Sequence, residues 1–386
     1  MLNSDEGLVY LLNWRQVMLR LLVFVLLFFL MAGGCRPSCQ PGMTDQVKQL
    51  LSEQFNHKPH IQRGSLPSPG VWTSFLDPGH LGAHRYEFTL SEKNGIIYTC
   101  KAGHIDIYHV REAADWTAFL TAKTFKHLNN DDIEFSFKLK EGAICFVRLT
   151  YPQTWELLLP KIKEYITYDI SISLGQYFAY TAQTWHEIMT WYGYKSGGFY
   201  PEFPSAFSWE DNFSNLLGSY IGVLGLQDTK HAYDEAVTLA LNKELEKLGV
   251  QPAAVARHSA KSMKGLWFSG KLLGPEDMKK RNFDIGIDDG FVTPSIVPDV
   301  CECEGTKAQP YRVPNLDCLS KYGFSMKFEI EPREWEKDKI LSIIYPDKKT
   351  RGKCIEPAKH FAAIMSRIMN EAEKKYGFHV ARSSIN

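Results

Sequence analysis

The sequence predicts an α+β fold. Three observations carry that expectation. Short stretches of alternating apolar and polar residues are bounded by Asn-Gly, Glu-Gly or Asp-Gly turn signals, which read as antiparallel β-hairpins. A central run over residues 155–248 reads mostly helical, and a C-terminal amphipathic helix closes the chain. Hairpins with segregated helices are the pattern of an α+β architecture rather than of a parallel α/β sheet.

In chain order, residues 43–55 read as a short helix with Val47, Leu50 and Leu51 on one side. Residues 57–82 are rich in Pro and Gly and read as irregular. Residues 85–90 and 96–100 flank Asn94-Gly95, a hairpin signal, and residues 111–125 follow as a helix. Ile133, Phe135, Phe137 and Leu139 alternate with polar residues, giving a half-buried strand. Glu141-Gly142 turns it into its partner, residues 143–149.

Helices are expected over residues 177–192 and 209–224, separated by a Gly/Pro/aromatic loop over 193–207. A third covers 228–248 and stops at Gly249, a good residue for a helix end. Strands at 283–287 and 291–297 flank Asp289-Gly290, and further strands are expected at 324–330 and 339–345. The last helix, 357–376, lines up Phe361, Ile364, Met365, Ile368, Met369 and Ala372, with Gly377 after its end. There is no internal repeat.

Composition narrows the class. Charged residues are 23% and apolar residues 44%, ordinary for a globular chain. Lys plus Arg equals Asp plus Glu at 44 each, so no basic field favours a nucleic-acid partner. Aromatics, 13% of the chain, concentrate between residues 185 and 209; such stretches form cores and also line sugar, peptide and lipid sites.

The N-terminus carries an address. Met18-Leu19-Arg20 is a short positive start, residues 21–32 are an unbroken apolar run, and Gly33-Gly34-Cys35 closes it. That order is an export signal, and the run is too short for a comfortable membrane span. The reading is a signal peptide over 1–34 with its true start at Met18. A lipidated Cys35 and tether cover 35–60, and one large α+β domain covers 61–386, with a smaller C-terminal subdomain from about residue 280 as an option. Arg36 rather than Asp after the cysteine, by resemblance to lipoproteins of double-membraned bacteria, directs the anchor to the outer membrane facing the periplasm. The alternative is cleavage after Gly34 and a soluble periplasmic protein.

Export permits disulfides. Besides Cys35 there are seven cysteines, an odd number, so at least one stays free or pairs between molecules. Cys301-Glu302-Cys303 with Cys318 lacks the spacing of common zinc sites and is read as part of a disulfide-stapled loop.

Three stretches crowd ionisable residues among aromatics. The first, residues 103–117, holds His104, Asp106, His109, Arg111 and Asp115; His104 and Asp106 face one way on a strand, and Arg111 and Asp115 are one helical turn apart. The second, residues 185–193, holds His186 and Glu187, but position 190 is Thr, so the zincin pattern is incomplete. The third, residues 205–218, holds Ser208, Glu210 and Asp211, where Ser208 and Asp211 have the form of a capping box. Asp211, Asn215, Gly218 and Gly222 then share a helical face on which another helix can approach closely. Each stretch also has a purely structural reading: a surface ion pair, a bridging helix, a cap.

Together these stretches resemble a family of bacterial envelope lipoproteins whose shared domain has no assigned function. The resemblance rests on Ile105-Asp106 and His109-Val110-Arg111, on His186-Glu187 with Thr190-Trp191-Tyr192-Gly193, and on Ser205-Ala206-Phe207-Ser208 leading through Glu210-Asp211 to Ser214-Asn215-Leu216-Leu217-Gly218. It covers residues 70–345. The residue after Ser208 is often Pro in that family; here it is Trp209. The resemblance implies an envelope location and no particular activity.

No nucleophile elbow, P-loop or dinucleotide fingerprint is present, and residues 284–290 suit a hairpin better than a calcium loop. The first functional expectation is a membrane-anchored metal-dependent hydrolase acting on cell-wall or envelope substrates. His109 and His186 would hold zinc or another divalent metal with Asp106 or Glu210. Glu187 and Arg111 would be catalytic, and Trp191, Tyr192 and Trp209 would bind substrate. The second is a non-enzymatic lipoprotein that binds a partner, peptidoglycan or another envelope component. The third keeps Glu187 as a metal-free general acid on glycan.

Overall fold

Local sequence sets up two hairpins and a stack of helices. The computed structural model describes residues 50–60, 73–196, 198–271 and 277–377, which belong to the unit formed by the chain from Met43 onward. The signal peptide, Cys35 and most of the tether and first expected helix lie outside these residues; Leu50–Gln54 is a short π-helical turn. Strand β1 (Ile96–Thr99) pairs antiparallel with β2 (Gly103–Asp106), and all eight residues are buried. β2 runs straight into α1 (Ile107–Asn129), and Asp106 at the junction caps the helix by accepting the Tyr108 N–H.

The second hairpin is β3 (Glu134–Lys138) and β4 (Ile144–Thr150), with the expected alternation of exposed and buried side chains. Next comes α2 (Pro160–Trp191), 32 residues started by a proline at its first position, then the two-residue ribbon β5 (Lys195–Ser196) and β6 (Tyr200–Pro201). Helices α3 (Asp211–Gln227) and α4 (Tyr233–Lys247) come after it, then β7 (Val250–Gln251) and α5 (Ala253–Ser262). The C-terminal part supplies β8 (Phe291–Val292), β9 (Tyr311–Arg312), α6 (Asp317–Lys321), β10 (Ser325–Glu331), α7 (Lys337–Ile344) and α8 (Pro357–Tyr376). The larger sheets order as β2-β1-β7 and β10-β4-β3. The fold is α+β, with small antiparallel sheets around packed helices.

Helix α1 lies between α2 and α3, and small residues set the spacing. A Cβ on Gly175 would stand 2.0 Å from Thr121 Oγ1, and one on Gly218 would stand 2.3 Å from the Val110 carbonyl oxygen. One apolar core fills the space between β3, β4, β10, α2 and α8; another fills that between α1, α3 and α4. Among the described residues no helix is long and apolar enough to cross a membrane.

Five expectations need correction. Residues 85–90 form no strand: the Arg85 and Tyr86 N–H groups donate to the Glu92 and Asp234 carboxylates, so no partner strand takes them. Asn94-Gly95 is not a hairpin turn, because the Asn94 side chain is held by Arg111 and Gly95 packs against the Ser74 carbonyl. Residues 283–287 are folded by side-chain turns, Asp284 accepting the Gly286 N–H, and only Phe291–Val292 pairs, with β9. Residues 339–345 lie largely in helix α7, which buries Ile340 and Leu341 together as a helical face does. Helix α2 also begins 17 residues before the expected 177.

The cysteines resolve partly. Cys100 bonds Cys303 across a Cα separation of 5.0 Å, so Cys303 belongs to a disulfide that reaches back to β1 rather than a local staple. Cys145, Cys301, Cys318 and Cys354 are free.

Candidate functional site

The three polar stretches meet. The end of β2 with the first turn of α1 brings Asp106, His109 and Glu112. The last turns of α2 bring His186 and Glu187, and the loop into α3 brings Ser208, Glu210 and Asp211. His109 is the hub. Its Nδ1 lies 3.2 Å from Asp106 Oδ2 and 3.5 Å from Asp211 Oδ1. Glu187 Oε2 accepts the Phe207 N–H at 2.6 Å. Glu210 Oε2 accepts the Ser208 hydroxyl at 2.5 Å, and Asp211 Oδ2 accepts the Ser208 N–H at 2.9 Å. The expected capping box is thus half made: the carboxylate reaches back to Ser208, while the serine hydroxyl turns to Glu210.

All these side chains except that of His186 are buried, and carboxylates outnumber cations. Burial opposes charge on His109, yet Asp106, then Glu187 and Glu112, raise it to about 9, so at neutral pH it is an imidazolium. Burial pushes Glu210 up to about 8, with Asp106 adding to it. Burial likewise lifts Asp211, helped by Glu187, Glu210 and Asp106, so this adjacent pair keeps a proton at neutral pH. Asp106 Oδ2, His109 Nδ1, Glu210 Oε1 and Asp211 Oδ1 are all buried without a hydrogen bond. Three of these atoms face one another in the His109 ion pairs with Asp106 and Asp211, and Glu210 Oε1 has neither a hydrogen bond nor an ion pair, a costly arrangement for a merely structural core.

A second tier leads outward. Lys140 Nζ donates to Glu112 at 2.9 Å and lies 3.8 Å from Glu141, whose carboxylate meets His186 Nδ1 at 2.8 Å. His186 Nε2 faces Glu202 at 3.5 Å. Burial disfavours the charged form of Glu141, but the bond from His186 together with the charges of His186 and Lys140 outweighs it and holds its carboxyl down. Burial and Lys140 oppose charge on His186, while Glu141 and Glu187 raise it. These residues carry the network to solvent, with the side chains of Lys140 28%, Glu202 22% and His186 14% exposed.

Phe207, at the heart of the site, has φ of +52°. A bulky residue in the left-handed region costs about 1–3 kcal/mol and persists only where its surroundings over-determine it. Here Glu187 holds its N–H and the Asn282 N–H holds its carbonyl. Buried Arg281 donates to the carbonyls of Phe203 and Ala206 and stacks over Trp191, Phe203 and Tyr376.

The expected site residues divide accordingly. Asp106, His109, Glu187 and Glu210 come together. His186 is one step removed, paired to Glu141 and Glu202, so the expected metal set of His109, His186, Asp106 and Glu210 is split. Among the described residues no group of three or more His, Cys, Asp or Glu is placed to hold a metal ion. Arg111 lies elsewhere. It donates to the carbonyls of Leu81, Gly82 and Lys93 and to Asn94, and pairs with Glu92, clamping the loop before β1; a catalytic role at this centre is not open to it. Asp115 pairs with buried His84 at 2.9 Å, and its charge also acts on Arg111. Buried His104, pushed down to about 4 by burial, is neutral and takes the Trp209 indole N–H.

Two of the expected substrate aromatics, Trp191 and Trp209, are packed into the core. Trp191 donates to Glu371 and packs on Phe203 and Phe283; Trp209 packs on Trp267 and Phe268. Tyr192 is half-buried, with its carbonyl held by Lys339. Sequence reasoning missed Glu112, Lys140, Glu141 and Glu202. Glu112 stands three residues after His109 on a helix, a readable signal. Lys140-Glu141 at a hairpin tip reads as ordinary solvated surface.

A family model described as Protein of unknown function (DUF4056) matches residues 61–294. The chain belongs to the DUF4056 family. Every residue of the centre, from Asp106 to Asp211, lies within the DUF4056 span, whereas β10, α8 and Cys303 lie beyond it. No curated protein and no solved structure matches the chain.

Proposed function

We propose that this DUF4056 protein is an envelope hydrolase, held to a membrane through lipid on Cys35 and working by acid–base chemistry on a wall or envelope substrate. One observation carries the reading: three sequence stretches spread over about a hundred residues converge on buried His109, which is ion-paired to Asp106 and Asp211 beside a Glu210 oxygen left without a hydrogen bond. Glu187, oriented by the Phe207 N–H, is the base that takes a proton from water. The Glu210–Asp211 pair holds the proton that the leaving group needs, and the His109 cation offsets charge between them. Lys140, His186 and Glu202 form the partly open side by which substrate enters. The disulfide supports the envelope location, because such bonds persist in oxidising compartments.

A divalent cation is the second reading, favoured by the carboxylates gathered around His109. Its donors would be Asp106, His109, Glu210 and Asp211, which would have to close around it, and not His186.

The test is release of soluble fragments from peptidoglycan by the purified full chain. The expected outcome is activity that falls by about 100-fold or more in Glu187→Gln and in His109→Asn, with both variants still folded. Absence of release by the wild type, together with unfolding of both variants, would overturn the hydrolase in favour of a structural centre. Chelator-sensitive activity with bound metal would select the cation reading.

A further inference from the structure

At the N-terminal end of α2 a group of large apolar side chains stands in water: Leu157 is 82% exposed, Leu159 67%, Ile162 44% and Ile133 63%. The chain segments that carry them come together: Trp155 donates its indole N–H to Asp131, two residues from Ile133, and Asp131, Trp155 and Pro160 line one hollow. Beside them opens a hollow of about 670 Å³ lined by Glu53, Phe125, Leu128, Trp155, Pro160 and Lys163. Glu53 belongs to the turn Leu50–Gln54, where the described chain begins. Residues 36–49 span at most about 50 Å when extended, enough to let this surface meet a bilayer that holds Cys35. Lys161 and Lys163 stand here among Glu53, Asp131, Glu156 and Glu164, so the apolar side chains rather than charge make the contact with a bilayer.

We infer that this end of the molecule rests on the bilayer surface and that α2 is a strut holding the catalytic centre away from it. Ile162 and Glu187 lie on the same helix, 25 residues apart, which at 1.5 Å per residue is about 38 Å. The inference rests on the anchor reading above and narrows its substrate. A lipid headgroup does not rise that far from its own bilayer, whereas a wall polymer, glycan or peptide, lies within reach. The class of reaction is therefore hydrolysis of a polymer strand running beside the membrane, not of a membrane lipid.

The test is hydrogen exchange of the full lipid-bearing chain, in detergent and in vesicles of phosphatidylethanolamine and phosphatidylglycerol. Slower exchange over residues 155–165 in vesicles is expected, with 186–211 unchanged, and Leu157→Asp with Leu159→Asp should remove the effect while the protein stays vesicle-bound. No vesicle-dependent change at 155–165, or a change centred on 186–211, overturns the inference. So does protection of 155–165 in detergent that grows with protein concentration, which would mark a second copy as the occupant. Cys35→Ala separates the two readings. If the wild type never associates with vesicles, the anchor reading fails. If the Cys35→Ala chain still gains protection at 155–165 with excess vesicles, the docking surface stands without it.

Discussion

His109 sits among Asp106, Asp211 and Glu187 with no second cation in direct contact, and its titration governs how the fold responds to pH. Its pKa rises from 6.5 to about 9 on folding, so its stabilising contribution is full below 6.5 and is lost as pH climbs through 9. Glu210 rises from 4.5 to about 8, so the folded state binds more protons than the unfolded state between those values and stability falls across that window. Both slopes have the same sign. Urea unfolding from pH 5 to pH 9 should therefore show stability falling with pH. Glu210→Gln should flatten the fall below pH 8 and leave the variant more stable than wild type above it. His109→Asn should be less stable than wild type below pH 6.5, with the difference shrinking towards pH 9. A wild type whose stability rises over this range would contradict the assigned protonation states.

At the scale of elements, the centre depends on how near α3 comes to α1. The Gly218 Cα faces the Val110 carbonyl where a Cβ would fit only at 2.3 Å, and Gly222 faces the Ala114 carbonyl at 2.7 Å. Gly218→Ala should cost about 1–3 kcal/mol by overpacking, read as a drop in Tm. It should also lower hydrolysis more than a substitution of equal stability cost on α8, because it moves Asp211 away from His109. This contact was legible: Asp211, Asn215, Gly218 and Gly222 mark a small-residue face in the sequence itself. The β3–β4 hairpin and helix α8 were legible too, because their apolar periods are long and unbroken. What failed was decided at a distance. The turn signal at Asn94-Gly95 was overridden when Arg111, 17 residues on, took the Asn94 side chain. Asp115 also reaches His84 across the fold, a contact that the spacing to Arg111 one helical turn away does not foretell. Lys140 and Glu141 joined the site because a hairpin tip reaches the end of α2, a placement that no local spacing encodes.

For the whole molecule, one covalent link closes a long loop. The Cys100–Cys303 bond joins residues 203 apart, and such a constraint on the unfolded chain is worth about 2–5 kcal/mol. Cys303→Ser should lose that much in denaturant unfolding, and a reducing agent should bring the wild type down to the variant and leave the variant unmoved. The same link runs past the boundary of the DUF4056 match at 294. So does the pairing of β4 with β10, seven residue pairs of ladder that come from residues 325–331. A chain ending at 294 would carry Cys100 as a bare thiol and β4 as an open edge, ready to pair with any neighbouring copy. The matched span is thus a motif-bearing portion completed by the C-terminal segment from 295 onward. After a proteolytic clip near that boundary the disulfide would still hold the C-terminal segment in place, and only reduction as well would free β4 to seed aggregation.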